Sequence, residues 1–493
     1  MSMVLGIDLG TTSTKAILLN LENGELHEAS AESPLYSTNT GWAEADPTIW
    51  WDNVCLLSKQ LLARCNLTGN DIKAVAASGM VPAVLTLDSR GQPLRRAILQ
   101  NDARASTEIT ELRDSTSHLD LVEITGSALT QQSVAPTWAW LARHEPSIAT
   151  STVTLAGSYE WLLRALGAEP HLERNWAIES GLYTIEGSLL DEVLDIASLP
   201  ERLLPPVASP GDQVGEVSTE AAAATGLRAG TPLIVGGADH VLSAYAAGLT
   251  APGEWLVKLG GAGDLLVVSK HPILDSRLFL DAHPKPGLWL PNACTATAGS
   301  LVRWFQRLVG GTSLSELDTQ ASSRAADDLV CIPYFLGEKS PLHDTALRGA
   351  FLGLHLGHEV ADLYRAVLDS VAFSFKRLLG IFSECNVVLA DGYITNGGSK
   401  SLLWKQINAD ILGRPVRPVE RHPGASLGAA LAAGIGVRLL EDWSIAEGFL
   451  TYGESIEPDP IRASRYAELY DIWLEAQDTV TGTSHHLASM GIS

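Results

Sequence analysis

The stretch Gly6-Ile7-Asp8-Leu9-Gly10-Thr11-Thr12-Ser13-Thr14-Lys15 constrains this chain most. Apolar residues flank it, Met3 to Leu5 before and Ala16 to Leu19 after, and Asn23-Gly24 then signals a tight turn before a third strand at 26–29. The pattern reads strand, loop, strand, turn, strand. Backbone amides and hydroxyls at a tight glycine turn form a nest for anions. A carboxylate at the end of the preceding strand can hold Mg2+, directly or through its waters. The stretch therefore predicts a hairpin for phosphate and magnesium. A Walker loop is excluded, because the Gly-x-x-x-x-Gly-Lys-Ser/Thr spacing is absent and no helix follows. An ordinary polar hairpin is the alternative that the local pattern leaves open.

A chain of 493 residues is too long for one hydrophobic core, so two large domains are expected, with three still open. The net charge of -23 argues against nucleic acid and against anionic membrane surfaces as partners. The charge of a bound nucleotide would have to be met locally, by backbone amides and metal. The five cysteines are scattered, as in a reduced cytoplasmic protein. No apolar run approaches the ~18 residues of a membrane span. The first strand begins at once, so no signal peptide is expected and the predicted location is the cytoplasm.

Further along, Asp46-Pro47 predicts a helix start, followed by the apolar stripe Trp50, Trp51, Val54, Leu57, Leu61 and Leu62. A strand at 73–77 ends at Ser78-Gly79-Met80-Val81-Pro82, and another is expected at 83–88. Residues 97–99 lead into the polar cluster Gln100-Asn101-Asp102-Ala103-Arg104. Such positions, beyond strand ends, are where open α/β sheets bind ligands. Residues 105–225 read as mostly helical. A buried strand at 233–235 is broken by Gly236-Gly237-Ala238-Asp239-His240, and Ala251-Pro252-Gly253 reads as a crossover between domains. A second hairpin follows, with strands at 255–259 and 264–269 around Gly260-Gly261-Ala262-Gly263. Two like hairpins, one heading each half, suggest an internal duplication. A strand at 388–395 precedes Asn396-Gly397-Gly398-Ser399, a helix runs from Ser399 to Leu412, and Gly424-Ala425-Ser426-Leu427-Gly428 opens a small-residue helix. A last amphipathic helix is expected at 460–480, with a polar tail after Thr481 that frays.

The Asp8 hairpin, Gly236 to Asp239, the Gly260 hairpin and Gly397-Gly398-Ser399 stand in an order that resembles the FGGY carbohydrate kinases, within the actin/hexokinase/heat-shock ATPase superfamily. Asn101-Asp102-Ala103-Arg104, Tyr334-Phe335-Leu336-Gly337-Glu338-Lys339-Ser340-Pro341 and Trp404-Lys405-Gln406-Ile407-Asn408-Ala409-Asp410 extend the likeness over nearly the whole chain. Within the family it looks most like the xylulose-kinase branch, for example in Trp42…Trp50-Trp51. The resemblance implies an α/β protein of two actin-like (ribonuclease H-like) ATPase domains, 1–248 and 249–493, with a cleft between them. It implies ATP and Mg2+, and a sugar or polyol substrate, most readily D-xylulose. A homodimer stays open. The chain departs from that branch at Met80-Val81 (Met-His), Gln100 (Trp), Asp239-His240 (Asp-Asn) and Gly260-Gly261-Ala262 (Gly-Thr-Ser). Three of these lie where a sugar should sit, and the last removes two hydroxyls.

By the same resemblance Asp239 is the expected general base, Asp8 the magnesium carboxylate, and Gly10, Thr11, Thr12, Ser13, Gly260 and Gly261 the phosphate donors. Gly397, Gly398 and Ser399 are expected beside adenosine. Met80, Val81, Gln100, Asp102, Arg104, Asp239 and His240 are the candidate sugar contacts. Each has a plainer reading: Asp239 as a helix N-cap, Asp102 with Arg104 as a structural ion pair, His240 as a structural histidine, Lys15 as a solvent-facing side chain. Three functions compete. The first is a kinase for xylulose or another pentulose or polyol, of ribulose, erythritol, glycerol or gluconate type. The second is a degenerate sugar- or nucleotide-binding regulator. The third is a heat-shock-type ATPase, which the Phe335-Leu336-Gly337-Glu338 block does not fit.

Overall fold

The computed structural model describes residues 2–324 and 328–490. Its two main sheets share one plan. In the first, β1 (Met3–Leu9), β2 (Ser13–Asn20) and β3 (Leu26–Glu32) form an antiparallel meander. The strand β4 (Ile72–Gly79) lies parallel to β1, β5 (Gln213–Glu216) takes the edge, and β6 (Pro232–Ala238) lies between β5 and β4. In the second sheet, β7 (Trp255–Leu259), β8 (Gly263–Val267) and β9 (Asn292–Thr295) repeat the meander. There β10 (Gly392–Thr395) lies parallel to β7, with β11 (Arg417–Pro418) beside it. The expected duplication is thus visible as a repeated sheet topology.

Helix α1 (Pro47–Arg64) begins as its sequence predicts: the Asp46 carboxylate accepts the Thr48 amide N–H, and Trp50, Val54, Leu57 and Leu61 are buried. The segment 105–225 is mainly helical but also contributes short strands, including β5. Strand β10 is shorter than expected and starts only at Gly392. After it, Gly397–Lys400 forms a 3₁₀ turn, and α5 (Leu402–Leu412) is capped by the Ser401 hydroxyl and stopped by left-handed Gly413.

Three further helices shape the cleft: α2 (Asp239–Tyr245), α3 (Gly299–Leu308) and the long α4 (Val360–Glu384). The small-residue helix α6 (Ala425–Gly436) belongs to the second half by sequence but packs on β1, β4 and β6 of the first sheet. Its glycines and alanines permit this. A Cβ on Gly6 would lie 2.2 Å from the Ser426 carbonyl oxygen, and one on Gly428 would lie 2.4 Å from that of Leu242. The chain therefore returns to the first sheet near left-handed Gly424. The last helix, α7 (Pro460–Met490), corrects the expected frayed tail. Ser484 and Ala488 are buried, and His485 Nε2 lies 2.7 Å from Asp344 Oδ2, so tertiary contacts hold a segment whose composition is polar.

Candidate active site

Strands β1 and β6 end side by side on β4, which carries Asp8 and Asp239 to one end of the sheet. There they line a cavity of about 1180 Å³ with Lys15, Ser243 and His422 on one side and Lys258, Gly260, Gly261, Gly397 and Gly398 on the other. The cavity brings together the two carboxylates, the second hairpin and the Gly397-Gly398 turn. Gly10, Thr11, Thr12, Ser13 and Ser399 are not among its lining residues; the Ser399 hydroxyl is spent on the Asn396 carbonyl.

Asp8 offers the clearest electrostatic signal. Its Oδ1 is buried without a hydrogen-bond partner, and burial, then the nearby charge of Asp239, pushes its carboxyl up to about 7. Lys15, its cross-strand partner, and Lys258 oppose that shift. An orphaned carboxylate oxygen beside a second carboxylate suits a hard cation with oxygen ligands. Asp239 moves the other way. Burial works against its charge, but the hydrogen bonds and charge of His240, with the charge of Lys258, hold it below the usual carboxylate range. Its Oδ1 accepts the His240 amide N–H at 2.6 Å. Asp239 is the first residue of α2, and Ala238 occupies the N-cap, so the plainer N-cap reading does not describe it.

Gly236, three residues before Asp239, has a structural task. A Cβ on Gly236 would lie 1.9 Å from the Ala77 carbonyl oxygen, so this glycine lets β6 bulge against β4 rather than admitting a ligand. Gly398 likewise packs on Trp404 and Leu259, while Gly397 faces open space.

The expected sugar contacts divide. Met80 has no accessible surface and Val81 almost none; both side chains sit in the core. Asp102 accepts the Ala43 amide N–H, and its carboxylate pairs with Arg104 at 2.8 Å. Arg104 also reaches Glu44 and stacks on Trp42, with its carbon centre 3.8 Å from the ring centroid. The ion-pair reading of Asp102 and Arg104 thus describes what is built there, although Arg104 Nη1 and Gln100 Oε1 are buried with no partner. His240 stands in a buried acidic group. Its Nε2 lies 2.7 Å from Asp281 Oδ2 and 3.9 Å from Glu179 Oε1, and Asp281 also accepts from Asn292 Nδ2. Burial disfavours its charge, but Asp281, Asp239 and Glu179 raise its pKa well above the ordinary imidazole value. Burial, followed by the charge of Asp281, holds Glu179 well above the carboxylate range.

Lys258, Asp264, Glu179, Asp281 and His422 were not singled out from the sequence. The pair Lys258 and Asp264 carried a readable signal, a charge on each inner strand of the Gly260 hairpin that mirrors Asp8 and Lys15. Glu179 and Asp281 carried none, since the end of the helix Arg174–Glu179 and the loop that bears Asp281 meet only in the folded chain. A grouping of Asp328, His355 and His358 at the surface also brings ligand atoms together. In both rings, however, Nδ1 faces a backbone N–H, from Gly357 and His355 respectively. The neutral rings therefore present Nε2–H to Asp328 and act as donors.

Fold and cleft together define a class, the actin-like phosphotransferases. Residues 3–246 match the N-terminal domain, and residues 256–437 the C-terminal domain, of the FGGY family of carbohydrate kinases, and the chain belongs to that family. The chain is 27% identical to a xylulose kinase of Bacillus subtilis over 96% of each chain. It is 30% identical to an autoinducer-2 kinase of Klebsiella pneumoniae, over 96% of this chain and 93% of that one. The crystal structure of a xylulose kinase from Rhodospirillum rubrum superposes with a TM-score of 0.91 at 37% identity, covering 98% of this chain and all of that one. The protein is thus an ATP-dependent sugar kinase by family. Among the described residues no helix is long and apolar enough to cross a membrane.

Proposed function

We propose that the chain transfers the γ-phosphoryl group of ATP to D-xylulose, giving D-xylulose 5-phosphate and ADP. The observation that carries the chemistry is the shared wall of the cleft, where Asp8 and Asp239 have opposite electrostatic environments. Two carboxylates driven apart in this way take different roles. Asp239, held ionised, accepts the proton of the attacking hydroxyl on Oδ2, because Oδ1 is already bonded to the His240 amide. Asp8, with an unpartnered oxygen, is the residue that would hold Mg2+, whose charge would offset that of the phosphates. The remaining work is positioning: the Gly260 hairpin for the phosphates and the Gly397 turn for adenosine.

The choice of sugar rests on the similarity to xylulose kinases; the autoinducer-2 kinase likeness, and the departures at Gln100 and His240, favour a related ketose or polyol as the second reading. A coupled ADP-release assay over xylulose, ribulose, erythritol, glycerol, gluconate and the autoinducer-2 precursor tests both. Turnover highest on xylulose supports the first reading; turnover on none of the panel would sink both.

A further inference from the structure

The two hairpins at the cleft offer an anion unequal chemistry. The first loop carries the hydroxyls of Thr11, Thr12 and Ser13, whereas Gly260-Gly261-Ala262 carries none. The carbonyl oxygens of Gly260 and Gly261 are occupied from behind by amides at the start of α3, from Ala298, Gly299 and Ser300. What the second hairpin does carry is a charge pair in reversed order. Asp8 stands opposite Lys15 across β1 and β2, and Lys258 stands opposite Asp264 across β7 and β8. Residues directly opposite in an antiparallel pair share a face of the sheet.

The two lysines are not equivalent. Lys15 is exposed, but the Lys258 side chain is only 11% exposed, and its Nζ lies 3.7 Å from Asp264 Oδ2. Lys258 lines the cleft with Asp8, Asp239, Gly260 and His422. Its charge acts on both carboxylates of the opposite wall and on His422. A largely buried ammonium in this position has one partner of its own, a carboxylate at salt-bridge distance, and an anion-sized space before it.

We propose that Lys258 is a catalytic residue of the transfer, its ammonium binding the non-bridging oxygens of the γ-phosphoryl group in place of the hydroxyls that the second hairpin lacks. Asp264 is its positioning residue. The inference rests on the kinase reading of the cleft. The sugar oxygen–phosphorus bond forms as the bond from phosphorus to the ADP oxygen breaks, the electron pair leaves with ADP, and the hydroxyl proton passes to Asp239. Lys258 donates hydrogen bonds to the developing charge and transfers no proton.

The test measures steady-state kinetics and calorimetric affinities for Mg·ADP and for a Mg-bound non-hydrolysable ATP analogue, on the full chain. Lys258→Met is expected to lower kcat by ~10²-fold or more, the scale of a lost oxyanion donor. It should weaken the analogue by roughly tenfold while leaving ADP affinity within about twofold, because only the analogue has the γ-phosphoryl group. Lys258→Arg should recover part of both losses. Asp264→Asn, at a partly exposed site, should lower kcat by a few-fold with the sugar KM unchanged. A Lys258→Met enzyme with kcat within threefold of the parent overturns the proposal. So does an equal loss of ADP and analogue affinity, which marks a structural role in the hairpin. If the parent itself turns over no sugar, the kinase reading fails, but the ADP-against-analogue comparison still decides whether Lys258 meets the third phosphate.

Discussion

His240 Nε2 lies 2.7 Å from Asp281 Oδ2, and this pair joins two halves of the chain beside Asp239. His240 follows Asp239 in the first half; Asp281 lies between β8 and β9 of the second. The segment around Asp281 is held to the first half by more than this pair. The Asn175 side-chain amide exchanges hydrogen bonds with both backbone groups of Ala282, and His283 Nε2 contacts the Leu249 carbonyl at 2.8 Å. The acidic partner of His240 is thus delivered by the other half and held by contacts to the first.

Replacing Asp239 should separate chemistry from binding. Asp239→Asn keeps the shape and an acceptor for the His240 amide but cannot take a proton. Turnover is expected to fall by ~10²-fold or more, with sugar affinity by calorimetry nearly unchanged. Near-normal kcat would remove Asp239 from the mechanism.

The strand ends, the two hairpins and Asp239 itself were legible in the sequence, because each is a local pattern: an apolar run, a glycine turn, a polar residue at the end. The partners of these residues were not. Asp281, on a loop, and Glu179, at the end of a helix, reach His240 from segments far apart in the chain, so no window of sequence contains the group. Gly236 was legible as a glycine but not in its purpose, which depends on the Ala77 carbonyl of a neighbouring strand. The apolar run at 233–235 could not show that Ala425–Gly436 covers the same sheet. Met80 shows the converse: a strand-end position that looked like a sugar contact has its side chain wholly in the core.

The dependence of stability on pH should carry the mark of two buried carboxyls, Glu160 and Glu173. Burial raises Glu160 to about 8 and Glu173 to about 7; the Glu173 amide donates to Glu160 Oε1, and the Tyr159 hydroxyl to Glu173 Oε2. Both folded values lie above the unfolded ones. Their stabilising contribution is therefore complete below a pH of about 4.5 and is lost as pH rises through about 7 and then about 8. Thermal melts should show Tm falling between about pH 5 and pH 8 and levelling off above that. Glu160→Gln, which cannot ionise, should flatten the fall above pH 7 by roughly a few degrees. An identical slope in the variant would count against a buried titrating Glu160.

Two glycines should answer differently to the same added methyl. Gly6→Ala would drive a Cβ to 2.2 Å from the Ser426 carbonyl oxygen and 2.6 Å from the Ala430 nitrogen, forcing α6 off β1. Overpacking of backbone against backbone costs at least ~1–3 kcal/mol, so a large fall in Tm or loss of soluble protein is expected. Gly397→Ala meets nothing within 4 Å and should fold normally, yet it places a methyl in the cleft where adenosine is expected. Its effect should appear as a raised KM for ATP with an unchanged melt. Equal melts for the two variants would refute the close seating of α6.

The last prediction concerns closure. The proposed phosphate donor Lys258 and the Gly397 turn lie on the second sheet, and Asp8 and Asp239 on the first, so transfer requires the two walls to meet on one ATP. Closing the cleft also excludes water that would compete with the sugar as acceptor. The chain crosses between the sheets at Thr250-Ala251-Pro252-Gly253, near left-handed Gly424, and again where Leu450 packs with the first core and Ile456 with the second. These are the places where backbone rotation can accumulate. The segment around Asp281 is already tied to the first half, so it should stay behind while β7, β8 and β10 move. Sugar with a non-hydrolysable ATP analogue should therefore give a smaller radius of gyration by small-angle scattering than either ligand alone. Asn175→Ala, which unties Ala282, should weaken sugar binding without abolishing that compaction. Identical scattering curves with and without both ligands at saturation would sink the closure. Loss of compaction in Asn175→Ala would instead place the Asp281 segment in the moving part.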